Sequence, residues 1–199
     1  MPEAPVLIVG TVQAEIEADL VAGRLGCPPC GGVLGPWGHA RRRVLRRRTG
    51  EELVRPRRSR CRSCRSTHVL LADSMLLRRR DDAETIGGAI LAKAAGSGRR
   101  RIARSLGVLA DMVRGWLRAF ARDAEAIRVH FTRWAHALDP LLGPLEAAGD
   151  GFADAVTAIG AATRAVVQRH GPRSVWAAVS RMTGGALLCH TSCPYPPVP

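Results

Sequence analysis

Apolar residues return along this chain in three rhythms. Between Thr11 and Leu25 they fall at Val12, Ile16, Leu20 and Leu25, with Glu15, Glu17 and Asp19 near the start, which predicts an amphipathic helix ending before Gly26. Residues 1–10 read as an extended lead-in. Residues 27–72 follow no helical period. They are rich in Gly, Pro, Arg and Cys, with short β-prone pieces at Val33–Leu34, Val44–Leu45 and His68–Leu71 and a turn at Thr49-Gly50. From Asp81 the helical period resumes. Asp81 or Asp82 can cap a helix carrying Ile86, Ile90 and Leu91, which Gly96-Ser97-Gly98 ends. A second helix is predicted over Arg99–Leu106, a third from about Ala110, and two more at about 151–169 and 173–182. The last residues form a Pro-rich tail that should fray.

The third rhythm holds two finer patterns. In the stretch from Arg101 to Trp116, Ile102, Leu106, Val108, Val113 and Trp116 face one way, Ala103 is small where two helices would cross, and Gly107 follows four residues later, where a tight turn needs a positive φ. That is the register of a helix-turn-helix, although an αα-hairpin in a bundle would share much of it. On this register Asp111, Arg114 and Arg118 lie outward on the second helix, with Arg114 best placed for a guanine edge, while Arg99, Arg100 and Arg101 precede the first helix and suit phosphate. Downstream, Leu117, Phe120, Ala124, Ile127, Phe131, Trp134 and Leu138 alternate spacings of three and four. This predicts one long third helix with an a/d seam, packed either on the C-terminal helices or on a second copy as a homodimer through residues 117–138.

Cysteine chemistry changes the reading of residues 27–72. Cys27-x2-Cys30 and Cys61-x2-Cys64 are two knuckles, each presenting two thiolates, and together they can complete a tetrahedron around structural Zn2+. A module this small and this polar needs such a staple. Two disulfides or a redox-active pair are the competing readings; cytosolic residence argues against the first and the absence of a βαβ context against the second. His39 and His68 could stand in for a ligand, but a surface or phosphate-contacting place is expected for both. Cys189 and Cys193, flanking His190, read as ordinary thiols.

Charge changes the reading of function. The net charge is +13, and the excess lies between Arg24 and Arg104, the remainder being slightly acidic. That is the footprint of a polyphosphate binder, against the blander reading of a solvated basic face. Every basic residue but Lys93 is arginine, and Asn is absent, as GC-rich coding would produce. Location, rather than identity, is therefore the evidence. The dense run Arg41, Arg42 and Arg43 suits phosphate tracking. No run is long enough for a transmembrane helix, and the short Val6–Val9 stretch lacks the leader and cleavage pattern of a signal peptide, so a cytoplasmic, nucleoid-associated protein is expected.

The segments CPPCGG, PWGHARRR and RPRRSRCRSCRSTHVLL, followed by AILAKAAGSGRRRIARSLG and VRGWLRAF, resemble the actinobacterial zinc-ribbon/helix-turn-helix proteins found among transposases and other mobile-element genes, over about residues 20–135. Arg99 stands where His is expected in that family, and Leu109 where Pro or Ser is commoner. The resemblance implies DNA binding, at insertion-element ends and beside a transposase partner, with Cys27, Cys30, Cys61 and Cys64 as metal ligands and residues 99–120 as the helix-turn-helix.

These readings give an α+β chain: a helical lead-in over 1–26, a β-rich zinc ribbon over 27–72, a homeodomain-like helix-turn-helix domain over 80–138, C-terminal helices over 139–185 and a tail over 186–199. The expected function is sequence-specific DNA binding linked to transposition, with a transcriptional repressor as the alternative and an RNA-binding zinc ribbon as another. No catalytic site is expected. Phosphoryl transfer would need clustered carboxylates, and Asp123, Glu125, Asp139, Glu146, Asp150 and Asp154 fall at predicted surface or loop positions.

Overall fold

Val6–Val9 does more than lead in. In the computed structural model, which describes residues 5–189, Tyr195, Pro196 and Val198, this run is strand β1 and lies parallel to the later strand Thr67–Ala72, Val6 opposite Val69 and Val9 opposite Ala72. Numbered in chain order, the elements after β1 are α1 (Gln13–Val21), β2 (Leu34–His39), β3 (Arg43–Arg47), β4 (Gly50–Val54), β5 (Arg57–Cys61) and β6 (Thr67–Ala72). One sheet runs in the order β1-β6-β5-β2, and β3 and β4 form a separate hairpin. β5 is read as a strand with difficulty: its sequence is RRSRC, and only Ser59 and Cys61 point inward. Helix α1 buries Ile16 and Leu20 against Val9, Leu34 and Leu70, in the same cluster as Cys27 and Cys61. Residues before Cys27 therefore supply half of the small core on which the cysteines rest. Leu45, Leu71 and Met75 anchor the hairpin to the sheet.

The helical half comprises α2 (Ala83–Ala94), α3 (Arg99–Leu106), α4 (Ala110–Arg122), α5 (Ala124–Leu138), α6 (Gly151–His170) and α7 (Val175–Met182). Asp82 begins α2, its carboxylate accepting from the Thr85 amide at 2.8 Å. Helices α2, α3 and α4 share a core containing Ile86, Ile90, Ile102, Val113, Trp116 and Phe120. Gly107, at φ 68 and ψ 29, makes the left-handed turn between α3 and α4, as its position in the sequence requires.

Two expectations need correction. The long third helix is two helices meeting at Asp123, whose φ of −103 and ψ of 11 leave the helical range. Its carboxylate pairs with the Arg122 side chain at 2.7 Å, and Asp is in any case among the poorer helix-interior residues. The break turns Ala124, Ile127 and Phe131 into the core beside the Ala155, Ala158 and Ala162 face of α6. A homodimer through residues 117–138 would have to open that packing. The tail, in turn, starts later than position 186. Ala186, Leu187 and Leu188 belong to the core, and the Tyr195 ring lies 4.7 Å from that of His130. His190 and Cys193 lie outside the described residues, and Cys189 is half-buried.

Candidate metal centre and nucleic-acid surface

The first knuckle is a backbone-closed turn. The Cys27 amide donates to the Gly32 carbonyl at 2.8 Å and the Gly31 amide to the Cys27 carbonyl at 2.8 Å, with Gly31 left-handed at φ 69. The second knuckle repeats the closure: the Cys61 amide donates to the Ser66 carbonyl at 2.9 Å, and Arg65 takes the left-handed position at φ 65. The two turns sit at the same end of the paired strands β2 and β5, because Leu34 is in register with Cys61. All four sulfurs consequently lie within 4.8 Å of one another, Cys27 to Cys64 at 3.6 Å and Cys30 to Cys61 at 3.5 Å. A tetrahedron with Zn–S bonds of about 2.3 Å has S···S edges of about 3.8 Å, so the four thiols fit a metal ion such as zinc with little movement. Among the described residues this is the only set of three or more His, Cys, Asp or Glu side chains gathered closely enough to hold one.

The thiols are not equivalent. Burial, reinforced by hydrogen bonds with the Cys64, Cys30 and Cys61 thiols, pushes Cys27 up to about 12. The Gly32 amide pulls Cys30 down, but Cys64 and Cys61 outweigh it and the net movement is upward. Burial opposes ionisation of Cys61, yet donation from the Cys64 and Ser63 amides brings it below its ordinary value. Cys64 falls to about 6, chiefly because the Ser66 hydroxyl and amide both donate to it. A metal that fixes all four as thiolates must therefore displace protons from Cys27 and Cys30.

His68 is fully buried on β6, not at the surface where a phosphate contact would need it. Its Nε2 lies 3.4 Å from the Cys27 sulfur, and burial lowers its pKa, so it meets that sulfur as a neutral ring able to donate one hydrogen bond. It is the kind of outer partner that orients a metal ligand. His39 is exposed on β2.

The predicted DNA-contacting residues fall into three places. Asp111, Arg114 and Arg118 are exposed on α4, and Arg114 pairs loosely with Asp111 at 3.3 Å, an open-surface contact worth little. Arg99, Arg100 and Arg101 do not precede α3 but form its exposed first turn, because the helix already begins after Gly98. Arg41, Arg42 and Arg43 line a groove of about 550 Å³ ahead of and along β3. The structure adds arginines that the sequence reading did not single out: Arg78, Arg79 and Arg80 line that same groove, and Arg46, Arg47 and Arg48 line a cleft of about 570 Å³ shared with Gly107, Leu109 and Met112 of the α3–α4 turn. A triplet between Leu77 and Asp81 was visible as a run. What was not visible was its pairing across the groove with residues nearly forty positions earlier.

Residues 27–104 match a family described as a domain of unknown function (DUF6431). The match spans both knuckles, the hairpin, α2 and most of α3, and stops before α4. No curated protein and no solved structure matches the chain. No helix of the described residues is long and apolar enough to cross a membrane.

Proposed function

We propose that this chain is a sequence-specific DNA-binding protein of mobile-element type, in which Cys27, Cys30, Cys61 and Cys64 hold one structural zinc in a ribbon and α3–α4 work as a helix-turn-helix. The observation that supports this best is the α3–α4 unit. A left-handed Gly107 separates two helices whose Ile102, Ala103, Val113 and Trp116 are buried, while Asp111, Arg114 and Arg118 stay exposed. Helix α4 is then the one that enters the major groove, with Arg114 reaching a guanine edge. Arg99, Arg100, Arg101 and Arg41, Arg42, Arg43 hold phosphates. Zinc supplies a rigid cross-link between two strands that have few apolar residues to hold them.

Three acidic residues of the helical half have local structural partners. Asp123 and Glu125 pair with Arg122 and Arg128, and Asp150 caps α6. A transcriptional repressor with the same modules is the second reading, favoured by one feature: α5, α6 and α7 add a helical unit continuous with the α2–α4 core, where a regulatory region would act on the reading helix.

The test is titration of the zinc-loaded protein on labelled duplex DNA at several salt concentrations. With about six phosphates neutralised, log K should fall against log salt with a slope near −5. No measurable affinity, or an affinity indifferent to salt, would overturn the proposal.

A further inference from the structure

On the β3–β4 hairpin, arginines are divided into two kinds. Arg46 pairs with Glu51 at 3.3 Å and Arg47 with Glu52 at 2.7 Å, cross-strand neighbours that hold the hairpin together. Arg41, Arg42 and Arg43 at its base and Arg48 at its tip take part in none of the ion pairs among the described residues. At the base, Arg78, Arg79 and Arg80 come alongside, and no carboxylate lines that groove; its remaining walls are Val44 and Leu53. Guanidiniums therefore wall this groove from both the hairpin side and the Arg80 side, a lining suited to a polyanion.

This convergence is built rather than incidental. The Arg46 amide donates to the Arg80 carbonyl at 2.7 Å, and the Asp82 amide donates to the Arg46 carbonyl at 2.9 Å, so the second triplet is stitched to β3. Arg79 donates to the Leu188 carbonyl at 2.8 Å, which ties the segment to the C-terminal core. The hairpin tip borders the α3–α4 turn, where Arg48, Gly107 and Leu109 share a cleft. Two carboxylates line this cleft as well, but Glu51 is occupied by Arg46 and Asp81 is buried.

We infer that the hairpin is a phosphate track that binds the backbone of one DNA duplex continuously from ribbon to reading helix. Arg41, Arg42, Arg43 and Arg80 grip it at the base, Arg48 at the tip, and Arg79, held by the Leu188 carbonyl, positions Arg80. At about 3.3 Å per residue the strand Arg43–Arg47 spans roughly 16 Å, and with Arg41 and Arg42 ahead of it and Arg48 in the turn beyond it it can follow several phosphates of one strand. The inference rests on the DNA-binding reading. It adds that both modules engage one duplex and that Arg48 and Arg80 are contact residues.

The experiment uses the zinc-loaded full chain and a labelled mixed-sequence duplex of about three helical turns, titrated across salt concentrations. Each phosphate contact removed should flatten the slope of log K on log salt by about 0.9. Arg48→Gln/Arg80→Gln should flatten it by about 2, with zinc content and helical circular dichroism unchanged. If the double glutamine variant fails to fold, each single variant is measured and should flatten the slope by about 1. Unchanged slopes in variants that still bind DNA would overturn the track while leaving the DNA-binding reading intact. Failure of the wild type to bind any duplex, with affinity for inorganic tripolyphosphate alone, would overturn both.

Discussion

Gly32 lies against the second knuckle, and replacing it with alanine perturbs the metal centre without removing a ligand. A Cβ at this position meets the Ser63 Oγ at 2.5 Å, the Ser63 Cβ at 2.9 Å and the Cys61 sulfur at 3.0 Å, where ordinary contacts between carbon atoms are about 3.5–4.0 Å; the hydroxyl can rotate away, but the Cβ and the sulfur cannot. The overlap is therefore roughly 0.5–1 Å. Ser63 and Cys61 belong to one closed turn and cannot move apart independently, and the Gly32 carbonyl is itself fixed by the Cys27 amide. The sulfur has to yield. A metal site tolerates ligand displacements of only about 0.2 Å, so the variant should lose roughly 10- to 100-fold in zinc affinity, the range for disturbed outer partners. Gly26→Ala is the control, since a Cβ there approaches nothing closer than the Gly31 carbonyl at 4.0 Å. Competition against a chromogenic zinc chelator measures both. Wild-type affinity in Gly32→Ala, or an equal loss in Gly26→Ala, would refute the geometry on which the centre is built.

Three further outcomes are expected. Cys27 and Cys30 are raised and still protonated at neutral pH, so zinc binding displaces protons from both; apparent affinity should strengthen steeply as pH rises from about 6.5 to 8.5, by about tenfold per pH unit for each proton displaced, and a flat profile in the chelator competition would show that none is displaced. Gly87→Ala drives a methyl group into the Trp176 indole and should cost about 1–3 kcal/mol or more in denaturant unfolding, the scale of overpacking a filled core; in the Trp176→Ala background it should cost far less, and full additivity would contradict the α2–α7 contact. Asp82→Ala removes the acceptor for the Thr85 amide and should destabilise by about 0.5–2 kcal/mol, measured the same way.

What could be read from the sequence followed from local rules. Asp82, the Arg99–Leu106 helix, the left-handed Gly107, and the start of α4 at Ala110 all depend on neighbours within a turn or two. The four cysteines were legible because knuckle spacing encodes its own geometry. Three things were hidden for different reasons. β5 carries almost no apolar signal, since Ser59 and Cys61 are its inward residues. β1 pairs with a strand some sixty residues later, which no periodicity reveals. Burial of His68 and the meeting of Arg41–Arg43 with Arg78–Arg80 depend on how the sheet and hairpin pack, and a lone His or an Arg run reads by default as surface. The break at Asp123 was masked because a three-four apolar spacing continues across it.

The central claim is that α4 reads base sequence while the arginine-rich ribbon holds backbone. Selection of bound duplexes from a random pool by the zinc-loaded wild type, sequenced in parallel with Arg114→Ala, tests it most directly. The account predicts one enriched motif for the wild type, and the loss of preference at a single guanine-bearing position in the variant, corresponding to about 1–3 kcal/mol of discrimination. No enriched motif for the wild type, or a motif that Arg114→Ala leaves untouched at every position, would contradict it.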